Sequence, residues 1–270
     1  MIPPYVLLYK EVCQTPLEAI TAWKVANPLY TDIPASYAGR LDPMAEGMLL
    51  VLLGEECKRQ EKYRGLDKEY EIEVLLDFST DTGDVLGMPI YASVETRPSP
   101  AEIKNVLRRQ TGTKTVAYPV FSSKTISGKP LFLYALEGTL GTIEIPRHNE
   151  TIYSIKQESL FEIPAEELHA RIQSMLSKAP RSDEPSKELG ADFRQDEIRE
   201  KWSSLFEEIP HRTYTVLTLS VACASGTYMR TLAERIGADL DTKGLCLSIK
   251  RTRMGTRRSV FGYPVWNSLR

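Results

Sequence analysis

The sequence predicts an α/β protein of the α+β type, with a mixed, largely antiparallel sheet flanked by helices. Alternating apolar and polar stretches such as "KEYEIEVLLDF" from residue 68 and "RTYTVLTLSVAC" from residue 212 read as half-buried strands. Helix-start signals fall between them, but without the regular βαβ alternation of a parallel, doubly wound sheet. The chain has 270 residues, 42% hydrophobic and 26% charged, which suits a globular chain able to bury a sizeable core.

Taken in order, Thr15-Pro16-Leu17-Glu18 supplies a hydroxyl N-cap, a proline at the first helical position and a glutamate three residues after the cap. Leu17, Ile20 and the Lys24/Val25 turn carry that helix to Asn27-Pro28, which stops it. In the strand that follows, Tyr70, Ile72, Val74 and Leu76 fall on one face and Glu69, Glu71 and Glu73 on the other, with "STDTGDVLG" as its turn. Ser99-Pro100-Ala101-Glu102 repeats the helix start, and Ile103, Val106 and Leu107 stripe a helix ending near Gly112. In "ASGTYMRTLAERIGADL" a short loop turns into a helix, with Leu232 and Ile236 on one face and Gly237 placed to cap its end.

Between about 158 and 208 the texture changes. Leu168, Ile172 and Met175/Leu176 stripe one amphipathic helix, "APRSDEPSKELGAD" reads as a linker, and Ile198, Trp202 and Leu205/Phe206 stripe a second. This stretch is expected to be an inserted helical hairpin, read as a tolerated surface elaboration before a protein-contact surface. It holds thirteen Asp/Glu against seven Lys/Arg, too acidic for an RNA grip, and the sequence names no protein partner for it. The formal net charge of -2 hides this asymmetry. Lys243, Lys250, Arg251, Arg253, Arg257 and Arg258 crowd the C-terminal end, where they suit phosphates or simply a solvated face. Four scattered cysteines without a CxxC or a nearby histidine pair suggest neither zinc nor disulfides, and reduced, half-buried thiols are expected. No segment reads as a signal peptide or a membrane span, so a cytoplasmic protein is expected. His148, His169 and His211 match no motif.

Chemistry concentrates around "YAGRLDPMAEGMLLVLLGE", residues 37–55. Asp42 precedes a proline, a common way to begin a turn. Tyr70 on its strand and Tyr228 with Arg230 at the loop-to-helix junction suggest more, because an arginine keeps a nearby carboxylate ionised and a phenol can exchange a proton or stack on a flat ligand. From residue types alone, Tyr70 is equally a cross-strand packing residue and Arg230 equally a surface ion-pair partner.

Four segments in order resemble the TruB family of tRNA pseudouridine synthases. "YAGRLDPMAEGMLLVLLGEECK" resembles its Gly-x-Leu-Asp-Pro-x-Ala-x-Gly motif, and "KEYEIEVLLDFSTDTGDVLG" its Lys-x-Tyr strand and Thr-Asp-Thr-x-Asp turn. "YPVFSSKTISGKPLFLYALEG" and "ACASGTYMRTLAERIG" are similar to its Ser-x-Lys-x-x-Gly-Lys segment and its Gly-Thr-Tyr-x-Arg motif. The likeness spans roughly 5–157 and 210–270. It implies a pseudouridine synthase catalytic domain over 1–270, interrupted by the insert at about 158–208 and without a C-terminal PUA domain.

The implied reaction isomerises uridine in the T loop of tRNA, at position 55 in the family, with no cofactor and no metal. By position, Asp42 matches the catalytic Asp, Tyr70 the tyrosine that lies against the target base, and Arg230 the arginine paired with the Asp. Tyr228 matches a second active-site tyrosine. Tyr37 stands where the family usually has histidine, and Lys10 falls at a Lys-Pro motif whose proline is here Glu11. These two, with Lys124 and Lys129 of the RNA-gripping loop and Lys250 and Arg251 of the basic cluster, are expected to contact tRNA through its T-stem loop. The alternatives are a synthase acting on another RNA and a catalytically silent tRNA-binding or folding protein on the same scaffold.

Overall fold

A computed structural model describes residues 2–92, 97–179, 194–260 and 263–269. The chain begins with β1 (Tyr5–Lys10), α1 (Pro16–Ala26), β2 (Ala35–Ala38), β3 (Glu46–Leu53), α2 (Gln60–Arg64) and β4 (Asp67–Leu76). It continues through β5 (Phe78–Thr80), β6 (Pro89–Tyr91), α3 (Pro100–Gln110), β7 (Gly112–Ala117), β8 (Thr125–Ile126), β9 (Lys129–Pro130) and α4 (Leu131–Leu136). β10 (Arg147–Pro164), α5 (Ala165–Ser177), α6 (Gln195–Glu208), β11 (Thr213–Cys223), α7 (Met229–Asp239), β12 (Gly244–Val260) and β13 (Tyr263–Ser268) complete it.

Both predicted capping boxes form. Glu18 N donates to Thr15 Oγ1 at 3.1 Å and Thr15 N to Glu18 Oε2 at 2.7 Å, and the same reciprocal pair joins Ser99 and Glu102 at 3.3 and 2.7 Å. Each box satisfies two helix-end N–H groups that have no intrahelical acceptor.

The principal sheet runs β1-β3-β12-β4-β11-β10-β7, with β2 added to β3 and β13 to β12. Its pairings are antiparallel except for β3 against β12, which run parallel through Glu46/Lys250 and Gly47/Arg251. This is the mixed, largely antiparallel sheet that the strand patterns predicted. On β4, Ile72, Val74 and Leu76 are buried and Glu71 is exposed, as the alternation predicts, but Leu75 on the other face is buried as well. Tyr70 sits in register with Val221 of β11 and Arg251 of β12, near the middle of the sheet. Gly47 has φ +104°, and a Cβ there would lie 2.4 Å from Arg251 O. Only glycine lets the strand following Asp42 come this close to β12.

One large apolar cluster fills the space between the sheet and α3, α5, α6 and α7. A smaller one, built on Ala19, Ile20, Leu49, Val51 and Leu53, lies beneath α1. All four cysteines are free; Cys13, Cys223 and Cys246 are buried outright and only Cys57 is half-buried. No helix among the described residues is long and apolar enough to cross a membrane.

Three local expectations need correction. Residues 158–164, taken as the start of the helical insert, complete the long strand β10, where they pair with β11 from Ser159/Thr218 to Pro164/Thr213. The polar character of that strand's outer part hid its pairing. The two helices form as striped, but Leu168, Ile172, Leu176, Ile198, Trp202 and Phe206 belong to the main core, so the pair is structurally integral and no surface add-on. The linker between them lies, apart from Ala179, outside the described residues. Finally, Gly237 is a helical residue of α7 and does not cap it. A Cβ on it would sit 2.2 Å from Gly244 N, so this glycine allows α7 to press against the start of β12.

Trp202 shows how α6 is tied in. It is fully buried, its Nε1 donates to Val85 O at 3.0 Å, and its ring packs with Phe78 and Phe206. Trp202→Ala is expected to cost about 3–5 kcal/mol in urea unfolding. A cost below about 1 kcal/mol, the ordinary range for surface changes, would instead make the helical pair detachable.

Candidate active site

Asp42 is a turn residue whose side chain is left over for other work. Ala45 N donates to Asp42 O at 3.0 Å, with Pro43 at the second position where its fixed φ favours the turn. The carboxylate reaches outward, and its Oδ2 accepts from Arg230 Nε at 2.7 Å. The Asp42 side chain is 38% exposed and that of Arg230 only 5%, so a buried cation presents a reachable carboxylate.

Arg230 lies in the first turn of α7, where the Ser-Gly-Thr loop ends. Its Nη1 donates to Thr82 O at 2.5 Å and its Nη2 to Phe121 O at 3.0 Å. Asp84 Oδ2 stands 3.8 Å from Arg230 Nε. Burial works against the guanidinium's charge, but Asp42 and Asp84 outweigh it and hold Arg230 above its ordinary pKa. Asp84 is itself pushed up by burial, an effect Arg230 opposes. Its Oδ1 accepts from Thr82 Oγ1 at 2.8 Å and Leu86 N at 2.9 Å, which makes the "STDTGDVLG" turn a rigid mount. Sequence reasoning did not single out Asp84, although its signal was present as the second aspartate of that turn.

Asp42 lines two cavities. One, of about 220 Å³, is walled by Tyr70, Tyr228, Lys68, Ser225 and Arg251. The other, of about 240 Å³, lies toward Thr82, Asp84, Phe121, Phe132 and Arg230. Burial raises the Tyr70 phenol while the adjacent Arg251 guanidinium pulls it down, and burial followed by the Asp42 charge pushes Tyr228 up to about 12. At neutral pH both rings therefore carry their protons. They offer the first cavity aromatic walls and hydroxyl donors.

The structure thus brings Asp42, Tyr70, Tyr228, Arg230 and Arg251 together, but gives Arg251 a role other than phosphate contact. It is 1% exposed, and its guanidinium donates to Met48 O at 2.7 Å, Arg40 O at 3.2 Å and Gly39 O at 3.2 Å. A buried cation that donates to three backbone carbonyls holds the approach to the Asp42 turn. Lys10 does the same from the other side: it is fully buried, with Nζ donating to Ala45 O at 2.5 Å, Glu11 O at 3.0 Å and Pro43 O at 3.3 Å. Lys10 is closed off from RNA, and Arg251 meets the outside only where it lines the first cavity.

The remaining expected contacts line neither cavity. Tyr37 packs into the cluster beneath α1. Lys250 alternates with the cavity-lining Ile249 and Arg251. Lys124 stands 4.9 Å over the Tyr118 ring, and Lys129 is ion-paired with Glu137 and 4.5 Å over Tyr134. Lys68, the lysine of Lys-x-Tyr, was missed. Its Nζ donates to Ser225 Oγ at 2.9 Å and Arg64 O at 3.0 Å, joining β4 to the loop before α7.

Residues 31–176 match the family model described as TruB family pseudouridylate synthase, N-terminal domain. Proteins named tRNA pseudouridine synthase B are similar to this chain: that of Nitrosomonas europaea is 28% identical over 229 residues, covering 84% of this chain and 57% of the relative. That of Ralstonia pickettii is 28% identical over 221 residues, covering 82% and 54%. The chain thus spans little more than half the length of these relatives. A chain in a crystal structure of a Cbf5-Nop10-Gar1 complex superposes with a TM-score of 0.52 at 16% identity, over 93% of this chain and 48% of that one, a likeness of fold.

Burial lowers Lys10 to about 8. Between that value and the unfolded pKa of about 10.4, the unfolded chain binds a proton that the folded chain has released, so this group makes stability rise with pH. Lys10→Met is expected to reduce the slope of unfolding free energy between about pH 8 and about pH 9.5 by up to one proton, about 1.4 kcal/mol per pH unit. Urea unfolding at several pH values reads this directly; an unchanged slope would mean that Lys10 titrates like an exposed lysine.

Proposed function

The chain belongs to the TruB family of pseudouridylate synthases, and from that premise we propose that it isomerises a uridine of tRNA to pseudouridine, in the T-stem loop. The observation that carries this reading is the Asp42–Arg230 pair: a reachable carboxylate, oriented by a buried guanidinium, on a cavity walled by Tyr70 and Tyr228. The tRNA pseudouridine synthase B names of the relatives support tRNA as the substrate.

In the proposed reaction the C1′–N1 bond breaks, the uracil turns, a C1′–C5 bond forms, C5 loses its proton and N1 gains one. No atoms are added beyond this proton exchange. The target base must leave its stack to reach Asp42, and the aromatic walls receive it. Asp42 is the group free to act on the ribose or the base. Tyr70, which burial keeps protonated, serves as a surface for the base and a hydroxyl donor more readily than as the acceptor of the C5 proton. Arg230 sets the direction of the carboxylate, and Lys10 and Arg251 stiffen the turn that carries it.

Tritium release from a tRNA transcript labelled at uridine C5 tests the reading. Asp42→Asn is expected to keep its fold and tRNA binding while losing more than about 10²-fold in release, the scale of a lost acid–base or nucleophilic group. Changing the T-loop target to cytidine is expected to abolish release by the wild type. Release that survives this change would move the target to another uridine, and release at the wild-type rate by Asp42→Asn would remove Asp42 from the chemistry.

A further inference from the structure

Tyr228 and Arg230 enter the active site from the first turn of α7, but that turn is not capped by its own sequence. Tyr228 is the N-cap residue, and its side chain makes no capping bond. The helix start is held from β10 instead. His148 and Glu150 stand two residues apart on one face of that strand. Glu150 Oε1 accepts from Tyr228 N at 3.0 Å, and His148 Nε2 donates to Gly226 O at 3.0 Å. Beside them Ala224 N donates to Thr151 O at 2.9 Å. The Ala224–Tyr228 loop is therefore bonded to β10 at three points.

The Glu150 side chain is only 1% exposed. A carboxylate that deep is costly unless its oxygens are bonded, and a helix N-terminus is where peptide dipoles favour it. Its Oε2 accepts from Arg235 Nη1 at 3.2 Å, and Arg235 Nε in turn donates to Gln110 Oε1 at 3.2 Å. Glu150 thus grips α7 at its N-cap and again two turns on. The His148 ring stacks on Tyr118 with centroids 4.0 Å apart, and both present themselves to the edge of Tyr228, at 5.8 and 6.2 Å. Among the described residues His148 Nδ1 has no partner, which fits the Nε2–H tautomer that the Gly226 carbonyl requires. Glu150 thus holds the backbone of Tyr228 and His148 meets its ring, and neither residue lies in a motif read from the sequence.

We propose that His148 and Glu150 are positioning residues of the active site: by fixing the Gly226–Tyr228 backbone they set where Arg230 meets Asp42 and where Tyr228 walls the cavity. Loss of either loosens a turn that also carries Arg230, two residues further on. The proposal relies on the isomerase reading for its rate measurement and not for the bond itself.

The test combines single-turnover tritium release from bound tRNA with hydrogen exchange at the Tyr228 amide, both on the full chain. Glu150→Ala is expected to slow release by roughly 10²-fold, the scale of a misplaced catalytic group, with unchanged tRNA affinity and faster exchange at Tyr228. Glu150→Gln keeps an acceptor for that amide and is expected to recover most of the rate and the protection. His148→Phe keeps the stack on Tyr118, loses the Gly226 bond, and is expected to show a smaller loss of rate, again without loss of affinity. Wild-type release by Glu150→Ala, an exchange rate that does not change, or a loss that glutamine does not relieve would overturn the proposal. Should Glu150→Ala fail to fold, His148→Phe decides on the same two readouts, and unchanged release with unchanged exchange overturns it. A wild-type chain that releases no tritium overturns the isomerase reading alone, because exchange at Tyr228 still decides whether the clamp exists.

Discussion

The buried guanidinium of Arg230 is the constraint on which the site depends. A cation taken out of water must be matched by partners of good geometry, or its desolvation is a net loss. Arg230, carried by α7, finds them in three other pieces of chain: the Asp42 turn, the Thr82–Asp84 turn and the segment at Phe121. The pieces are held together because none can move away without leaving a buried charge uncompensated. The carboxylate that completes the arrangement keeps one side open to a cavity. Fold and site thus share a single interaction, which is why the segments carrying it are those in which the sequence motifs concentrate.

Two further buried cations extend the same logic. Lys10 and Arg251 direct their donors at backbone carbonyls on either side of Asp42, from Gly39 and Arg40 before it to Pro43, Ala45 and Met48 after it. Apart from Met48, which lies in β3, these carbonyl oxygens sit outside any strand ladder, so the cations bond them and in doing so fix the shape of the turn. A carboxylate mounted this way does not have to reorganise when charge develops near it. Positive charge expected at an RNA contact is turned inward here, onto the backbone of the turn.

The sheet supplies the frame. β4 and β12 run side by side with Tyr70 opposite Arg251, and the glycine at position 47 lets β3 approach β12 closely enough to bring the Asp42 turn over them. Within the main core α5 and α6 pack around Trp202, whose indole is anchored on Val85, one residue past Asp84. The helical pair therefore supports the turn that faces Arg230, although the stretch that contains it carries a net negative charge, unlike an RNA contact.

Much of this was legible in the sequence, and the pattern of what was not has a physical basis. Capping boxes at Thr15 and Ser99, the alternation of β4 and the stripes of α5 and α6 depend on spacings of a few residues, so they could be read directly, whereas Asp42, Tyr70 and Arg230 stood out only through the resemblance of their segments to family motifs. Tertiary structure alone decided that residues 158–164 form a strand, that Gly237 meets a neighbouring strand, that Tyr37 turns away into a small core, and that His148 and Glu150 grip α7. It also decided the fate of Lys10 and Arg251. A lysine or arginine in a sequence signals charge, which by default belongs in water. Whether it is instead buried depends on acceptors brought to it by the fold, and the carbonyl of Arg40 that receives Arg251 lies 211 residues away along the chain.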